Sequence, residues 1–277
     1  MNVLQIDHLT HDYGNGKGIF DVSFSVGEGE VFGFLGPNGA GKTTTIRHLM
    51  GFIRPKKGCC RIDGKDCWKA RAEIQQHLGY IPGEINFFDD MSGREFLRFM
   101  ARYRQIPAEN RQKELLERFE LNPKGKIKKM SKGMKQKLGI VAALMHDPQI
   151  LILDEPTSGL DPLMQNLFIQ LIAEEKARGK TILLSSHMFE EVERTCDRIG
   201  IIRQGRMVAI DSVDTLRSRH LRTYTVQLDT PELAQNFAAD FDGHCDGTSV
   251  TVTSRQNLES IFLDYYEGGT DDERNAL

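Results

Sequence analysis

The stretch Gly36-Pro37-Asn38-Gly39-Ala40-Gly41-Lys42-Thr43 decides the fold. Its spacing is G-x-x-x-x-G-K-[ST]. The apolar run 31–35 leads into it, and Ile46, Leu49 and Met50 follow at helical spacing. Strand, glycine-rich loop and helix in that order is the context in which backbone N–H groups wrap around phosphates. Gly39 and Gly41 allow the close approach and the positive φ that such a loop needs. Gly36, Asn38 and Thr44 complete the expected cradle, and the helix that starts here adds the positive end of its dipole. Lys42 is placed to bridge β- and γ-phosphates, with the hydroxyl of Thr43 on Mg²⁺.

Working outward, the next decisive run is Ile150-Leu151-Ile152-Leu153-Asp154-Glu155. Four apolar residues predict a buried strand, and a parallel sheet would aim the carboxylates at its end toward the phosphate loop. Asp154 is the expected Mg²⁺ partner, direct or through water. Glu155 is the expected general base or water-orienting group. The plainer reading of two acids at a strand end is a turn cap; beside a phosphate loop, nucleotide hydrolysis is the better one.

Composition sets the frame. The chain has 277 residues, 39% hydrophobic and 27% charged, with a formal net charge of −3. That suffices for one full α/β domain and a small appendage. Residues 94–137 carry fourteen Lys/Arg against five Asp/Glu, whereas 211–277 carry five against thirteen. Solvated helical faces and a docking surface both account for such an asymmetry. No apolar run approaches the ~20 residues needed to span a bilayer. The N-terminus lacks the pattern of an export signal. The five cysteines show no CxxC pair and read as reduced structural thiols.

Along the chain, strands are expected at 3–9, 20–26, 31–35, 58–62 and 78–82, then a helical stretch from 92 to about 145. Strand–helix alternation resumes with strand 150–153, helix 162–177, strand 181–185, helix 188–195 and strand 198–203. A turn at Gln204-Gly205 makes a hairpin with 207–210. Beyond 211 the pattern is helix 212–219, strand 222–228, helix 231–239, strand 248–253 and helix 256–265, with a frayed tail.

With these motifs in order, the chain resembles the ATPase subunit of ATP-binding cassette (ABC) transporters over roughly residues 1–210. Thr157-Ser158-Gly159-Leu160-Asp161 is similar to the family's D-loop, and His187 to its switch histidine. Tyr13 stands where the family stacks an aromatic ring on adenine. Met130-Ser131-Lys132-Gly133-Met134 stands where the LSGGQ signature belongs, with Ser131 23 residues before Asp154. The resemblance implies that Ser131, Gly133 and Asp161 serve nucleotide held by a second chain's Lys42 loop. Taken alone, Ser131 would be an ordinary N-cap, His187 a structural histidine and Tyr13 a loop aromatic.

Two positions depart from the family. Gly83 occupies the slot of a Gln that contacts Mg²⁺ and water, and Glu84 or an ordered water is the expected substitute. Lys132 and Met134 replace Gly and Gln of the signature, and Lys132 would add positive charge near the triphosphate. Either departure could mark a half-active member of a heterodimer, although Lys42, Asp154, Glu155 and His187 together point to an active site.

The implied fold is α/β: a P-loop NTPase core with an antiparallel β subdomain and a helical subdomain at about 88–147. A small α+β appendage occupies 211–277. The implied function is ATP hydrolysis that powers a membrane exporter of a drug, antibiotic or lipid-like substrate, with ATP and Mg²⁺ as cofactors. The expected partners are a separate transmembrane permease and a second ATPase chain, identical or not, with no nucleic acid. The expected location is the cytoplasmic face of the membrane. The groove near 83–88 would receive a short cytoplasmic helix of the permease, with Phe87 and Phe88 either filling it or packing inward. The alternatives are an importer ATPase, a soluble ABC ATPase unconnected to transport, and a nucleotide-binding regulator that does not hydrolyse.

Overall fold

Residues 31–35, 150–154 and 181–186 carry apolar or small side chains on both faces, a pattern that only strands covered on both sides can satisfy. In the computed structural model every one of these residues is buried. The structure describes residues 1–88, 90–105, 110–219 and 221–255; of 110, 217–219, 221–223 and 253–255 it describes the backbone alone. The expected helix 256–265 and the tail lie outside the described residues.

The described residues form two compact units, divided after Ile210. The first begins with β1 (Asn2–Gly14), β2 (Lys17–Gly27), β3 (Val31–Leu35) and α1 (Lys42–Leu49). Next come β4 (Lys57–Ile62), β5 (Lys65–Asp66), α2 (Arg71–His77) and β6 (Leu78–Ile81). A helical stretch follows, with α3 (Gly93–Tyr103), α4 (Asn110–Arg118) and α5 (Lys132–Leu144). The unit finishes with β7 (Ile150–Asp154), α6 (Pro162–Ala177), β8 (Thr181–Ser186), α7 (Phe189–Thr195), β9 (Arg198–Arg203) and β10 (Arg206–Ser212).

Two sheets organise this unit. One has the order β2-β1-β4-β5 and is antiparallel; the other has the order β10-β9-β3-β8-β7-β6, with the β9-β3-β8-β7-β6 stretch parallel. Their apolar faces share one core, in which Phe24 stacks on Phe32 with centroids 4.9 Å apart. Parallel pairing is what makes the site. Leu35 is level with Ser186, and Asp154 with Ser185, so the carboxyl ends of β3, β7 and β8 meet at one edge of the sheet.

Helix α3 starts on a capping box in which Ser92 and Glu95 satisfy each other's backbone amides. Phe87, half-buried, packs edge-on against Phe96, while Phe88 stays 56% exposed against Phe99. The aromatic pair is therefore split between packing and surface.

In the second unit, α8 (Val213–Arg219) precedes β11 (Leu221–Gln227), α9 (Pro231–Asp240), β12 (His244–Asp246) and β13 (Ser249–Arg255). The strands form an antiparallel sheet of order β11-β13-β12, over which Ala234, Ala238 and Val250 make a small core.

Candidate functional site

A cleft of about 590 Å³ opens where β3 passes into α1. It is lined by Asn38, Gly39, Gly41, Lys42, Thr43 and Thr44 from the loop, by Glu155, and by Tyr13 at one end. Gly41, at φ 113°, starts α1, and a Cβ there would lie 2.6 Å from the side chain of Ile19, so only glycine fits. The first amides of α1 consequently face the cleft without side chains in the way.

Lys42 is 4% exposed, and its Nζ donates to the carbonyls of Gly36 at 2.6 Å and Pro37 at 3.2 Å. The third neighbour of Nζ is Glu155 Oε1 at 3.2 Å. The other oxygen of Glu155 lies 3.5 Å from His187 Nδ1. Glu155 thus stands between the loop lysine and the histidine after β8. It does so with φ 49°, unusual for a residue with a Cβ, and its N–H donates to the carbonyl of Ser185 at 3.1 Å. This backbone kink turns the carboxylate away from the line of β7, and nothing in the local sequence announces it.

Asp154 is wholly buried, and its Oδ1 accepts a hydrogen bond from Ser185 Oγ. Oδ2 makes no hydrogen bond of proper geometry, although the hydroxyl of Thr43 lies near enough to favour its charge. Burial is the main influence on this carboxyl and raises its pKa, with Glu155 adding to the rise and Ser185, Thr43 and Lys42 opposing it. A buried carboxylate oxygen with no partner, beside a hydroxyl, suits a small hard cation. Asp154 and Thr43 therefore fit Mg²⁺.

Gly83 borders the same spot. A Cβ on it would lie 3.1 Å from Asp154 Oδ2 and 3.8 Å from Thr43 Oγ1. Glu84, the residue expected to stand in for the missing Gln, is exposed and is not among those lining the cleft.

Ser131, Gly133 and Asp161 do not line the cleft that holds Lys42. Ser131 caps α5, its Oγ accepting from Met134 N at 3.2 Å, and Asp161 caps α6, accepting from Met164 N at 3.0 Å. These two helix starts adjoin each other, since a Cβ on Gly133 would meet the carbonyl of Gly159 at 2.8 Å. Lys132 Nζ donates to Ser158 Oγ at 3.0 Å, so its charge is tied to the loop before α6. Sequence reading missed Ser185, which braces both Asp154 and Glu155. It also missed Lys17 and Gln204, which line the cleft beside Tyr13. The turn signals Gly14-Asn15-Gly16 and Gln204-Gly205 were visible, but only the tertiary fold brings them to the loop.

Strand–loop–helix geometry, a loop lysine after β3 and a carboxylate pair at the end of β7 in the same parallel sheet define a P-loop ATPase. The chain belongs to the ABC transporter family, whose model matches residues 19–158. It is 38% identical to the bacitracin transport ATP-binding protein BcrA of Bacillus licheniformis over 254 residues, 88% of this chain and 83% of that protein. It is 37% identical to the linearmycin resistance ATP-binding protein LnrL of Bacillus subtilis (strain 168), covering 96% of this chain and 87% of the relative. A solved ATP-binding subunit of an ABC transporter superposes with a TM-score of 0.71 at 33% identity, covering 78% of this chain and 92% of that one. The chain is an ATP-binding, ATP-hydrolysing subunit of a transporter. Among the described residues no helix is long and apolar enough to cross a membrane. Subunits of this family work with membrane-spanning permeases and dimerise.

Proposed function

We propose that this chain drives export, of an antibiotic-like or lipid-like molecule, through closure of two ATPase chains around two nucleotides. The observation that carries the mechanism is the position of Glu155, between Lys42 at 3.2 Å and His187 at 3.5 Å. ATP entering the cleft brings phosphate oxygens to Lys42, which then releases Glu155 to face the attacking water. Glu155 orients that water and takes its proton as the P–O bond to the leaving ADP breaks. His187 contacts the γ-phosphate. Asp154 and Thr43 would hold Mg²⁺, which when bound neutralises phosphate charge. Tyr13 forms the platform for the base.

Ser131 and Gly133 of a second copy complete the site, presenting a hydroxyl and the positive end of α5 to the γ-phosphate. Closure is favoured only by as much as ATP binds the closed form better than the open one. The first unit, residues 1–210, is the ATPase, with its helical part at about 88–147 receiving the permease. Phe88, Phe99 and Tyr103 form an exposed ladder of rings there, with centroids 5.8 and 6.4 Å apart. That ladder suits an apolar cytoplasmic helix, which supports a docking of the chain on its permease at the inner face of the membrane. The direction of transport follows the relatives, whose names concern bacitracin transport, linearmycin resistance and Nod factor export.

The test is reconstitution with a candidate membrane-spanning permease. ATPase stimulation by that permease and ATP-dependent movement of substrate out of the cytoplasmic compartment are the expected results. Uptake in the opposite direction would replace export with import. Full activity of the chain with no stimulation by any permease would remove the coupling.

A further inference from the structure

Behind the cleft, a chain of three rings runs inward from Tyr13, and the hydrolysis steps leave its two histidines unused. Tyr13 borders the cleft and is 56% exposed. His11, two residues before it on β1, meets its ring at 60° with centroids 4.3 Å apart. His48 meets His11 in turn at 65° and 5.0 Å. His48 belongs to α1, the helix that opens on the phosphate loop, and is fully buried.

The nitrogens of this chain are informative. His48 Nδ1 lies 2.9 Å from the carbonyl of Thr44, which can only accept, so Nδ1 carries the proton. Nε2 is then a bare acceptor, and it has no partner; neither does His11 Nδ1. Burial holds the His48 pKa below the usual histidine value, so the ring is neutral at neutral pH. Leucine or methionine would fill a buried helix position without leaving a nitrogen unpaired, and an unsatisfied buried polar atom is destabilising. Local rules broken without local gain are expected at functional positions. What the two imidazoles supply that an aliphatic chain cannot is a flat, edge-to-face stack with fixed angles.

We infer that His11 and His48 are positioning residues for the nucleobase: they brace the ring of Tyr13 against α1, so that base stacking and phosphate binding share one rigid support. The inference rests on the reading of Tyr13 as the base platform, and it concerns affinity for the base, not the bond-breaking step.

Inorganic triphosphate carries the phosphates without the base, and titration calorimetry of the full chain with ATP and with triphosphate separates the two contributions. His11→Ala is expected to weaken ATP about three- to ten-fold and leave triphosphate binding and kcat unchanged. His11→Phe, which keeps an edge-stacking ring, restores ATP affinity. His48→Leu removes the orphaned nitrogen, so its melting temperature rises or holds while ATP binding still weakens two-fold or more, a combination that simple packing does not produce. Equal weakening of ATP and triphosphate by His11→Ala, or ATP affinity unchanged in both histidine variants, overturns the inference. Tyr13→Ala is the control for the underlying reading. If it leaves the ATP–triphosphate difference intact, the base platform itself is wrong. If it abolishes that difference while His11→Ala does not, only the role of the histidines fails.

Discussion

Two regions of one chain carry the nucleotide motifs, and they are built in opposite ways. Around Lys42 the charged groups answer one another: buried Lys42 meets half-buried Glu155, Glu155 meets exposed His187, and buried Asp154 is held by Ser185. Around Ser131 and Asp161 the side chains are exposed, and each oxygen caps the helix that it begins. The first region is preorganised within a single chain to receive nucleotide. The second presents helix starts to solvent and lies outside the cleft that holds Lys42, which supports the reading that its ligand arrives on another copy.

The sharpest way to break this comparison is Glu155→Gln. Loss of the base should lower kcat by about two to four orders of magnitude and leave ATP binding near normal. Because hydrolysis no longer reopens the pair, ATP-dependent dimers should accumulate on size-exclusion chromatography. Turnover within three-fold of the parent would remove Glu155 from the role given to it.

Ser131→Ala addresses the second region and should act more weakly. Turnover is expected to fall about ten-fold or more, with ATP affinity of the isolated monomer unchanged, because Ser131 does not line the cleft that holds Lys42. The lost cap should cost about 1 kcal/mol of stability. Stability loss with full turnover would make Ser131 a cap and nothing else. Gly83→Ala is smaller again. A methyl 3.1 Å from Asp154 Oδ2 crowds the cation position, so turnover with Mg²⁺ should drop several-fold while ATP binding in EDTA is unaffected.

How much of this was legible in the sequence depended on how local each signal was. The phosphate loop and the strands 31–35 and 150–153 are local patterns, and the structure reproduces them. Helix α2 was not anticipated because Ile74 is its only buried residue, too little for a periodicity. Strand β5 is two residues long, and β12 three. At the site, residue types were readable but directions were not. The positive φ of Glu155, the double brace from Ser185 and the tie from Lys132 to Ser158 all depend on neighbours at least 26 residues away. Glu84 looked a plausible substitute by adjacency, yet it is exposed outside the cleft.

The smallest expected effect lies at Glu191, where the two regions touch. Its carboxyl is 2% exposed and Oε2 accepts from Ser186 Oγ at 2.6 Å, next to His187. The hydroxyl of Thr157, at the start of the D-loop, is near enough to favour its charge, but Oε1 makes no hydrogen bond of proper geometry. Burial outweighs both hydroxyls and pushes the pKa up to about 7, with Glu155 adding to the rise. Folding therefore favours the protonated acid. The folded chain binds more protons than the unfolded one between the ordinary carboxylate range and pH 7, so this group's contribution to stability is full below that range and lost as pH rises through about 7. Glu191→Gln keeps the shape and abolishes the titration. Its melting temperature should match the parent near pH 5 and exceed it by a few degrees at pH 8, a gap that widens across the interval. A gap constant from pH 5 to 8 would mean that Glu191 does not titrate across that interval.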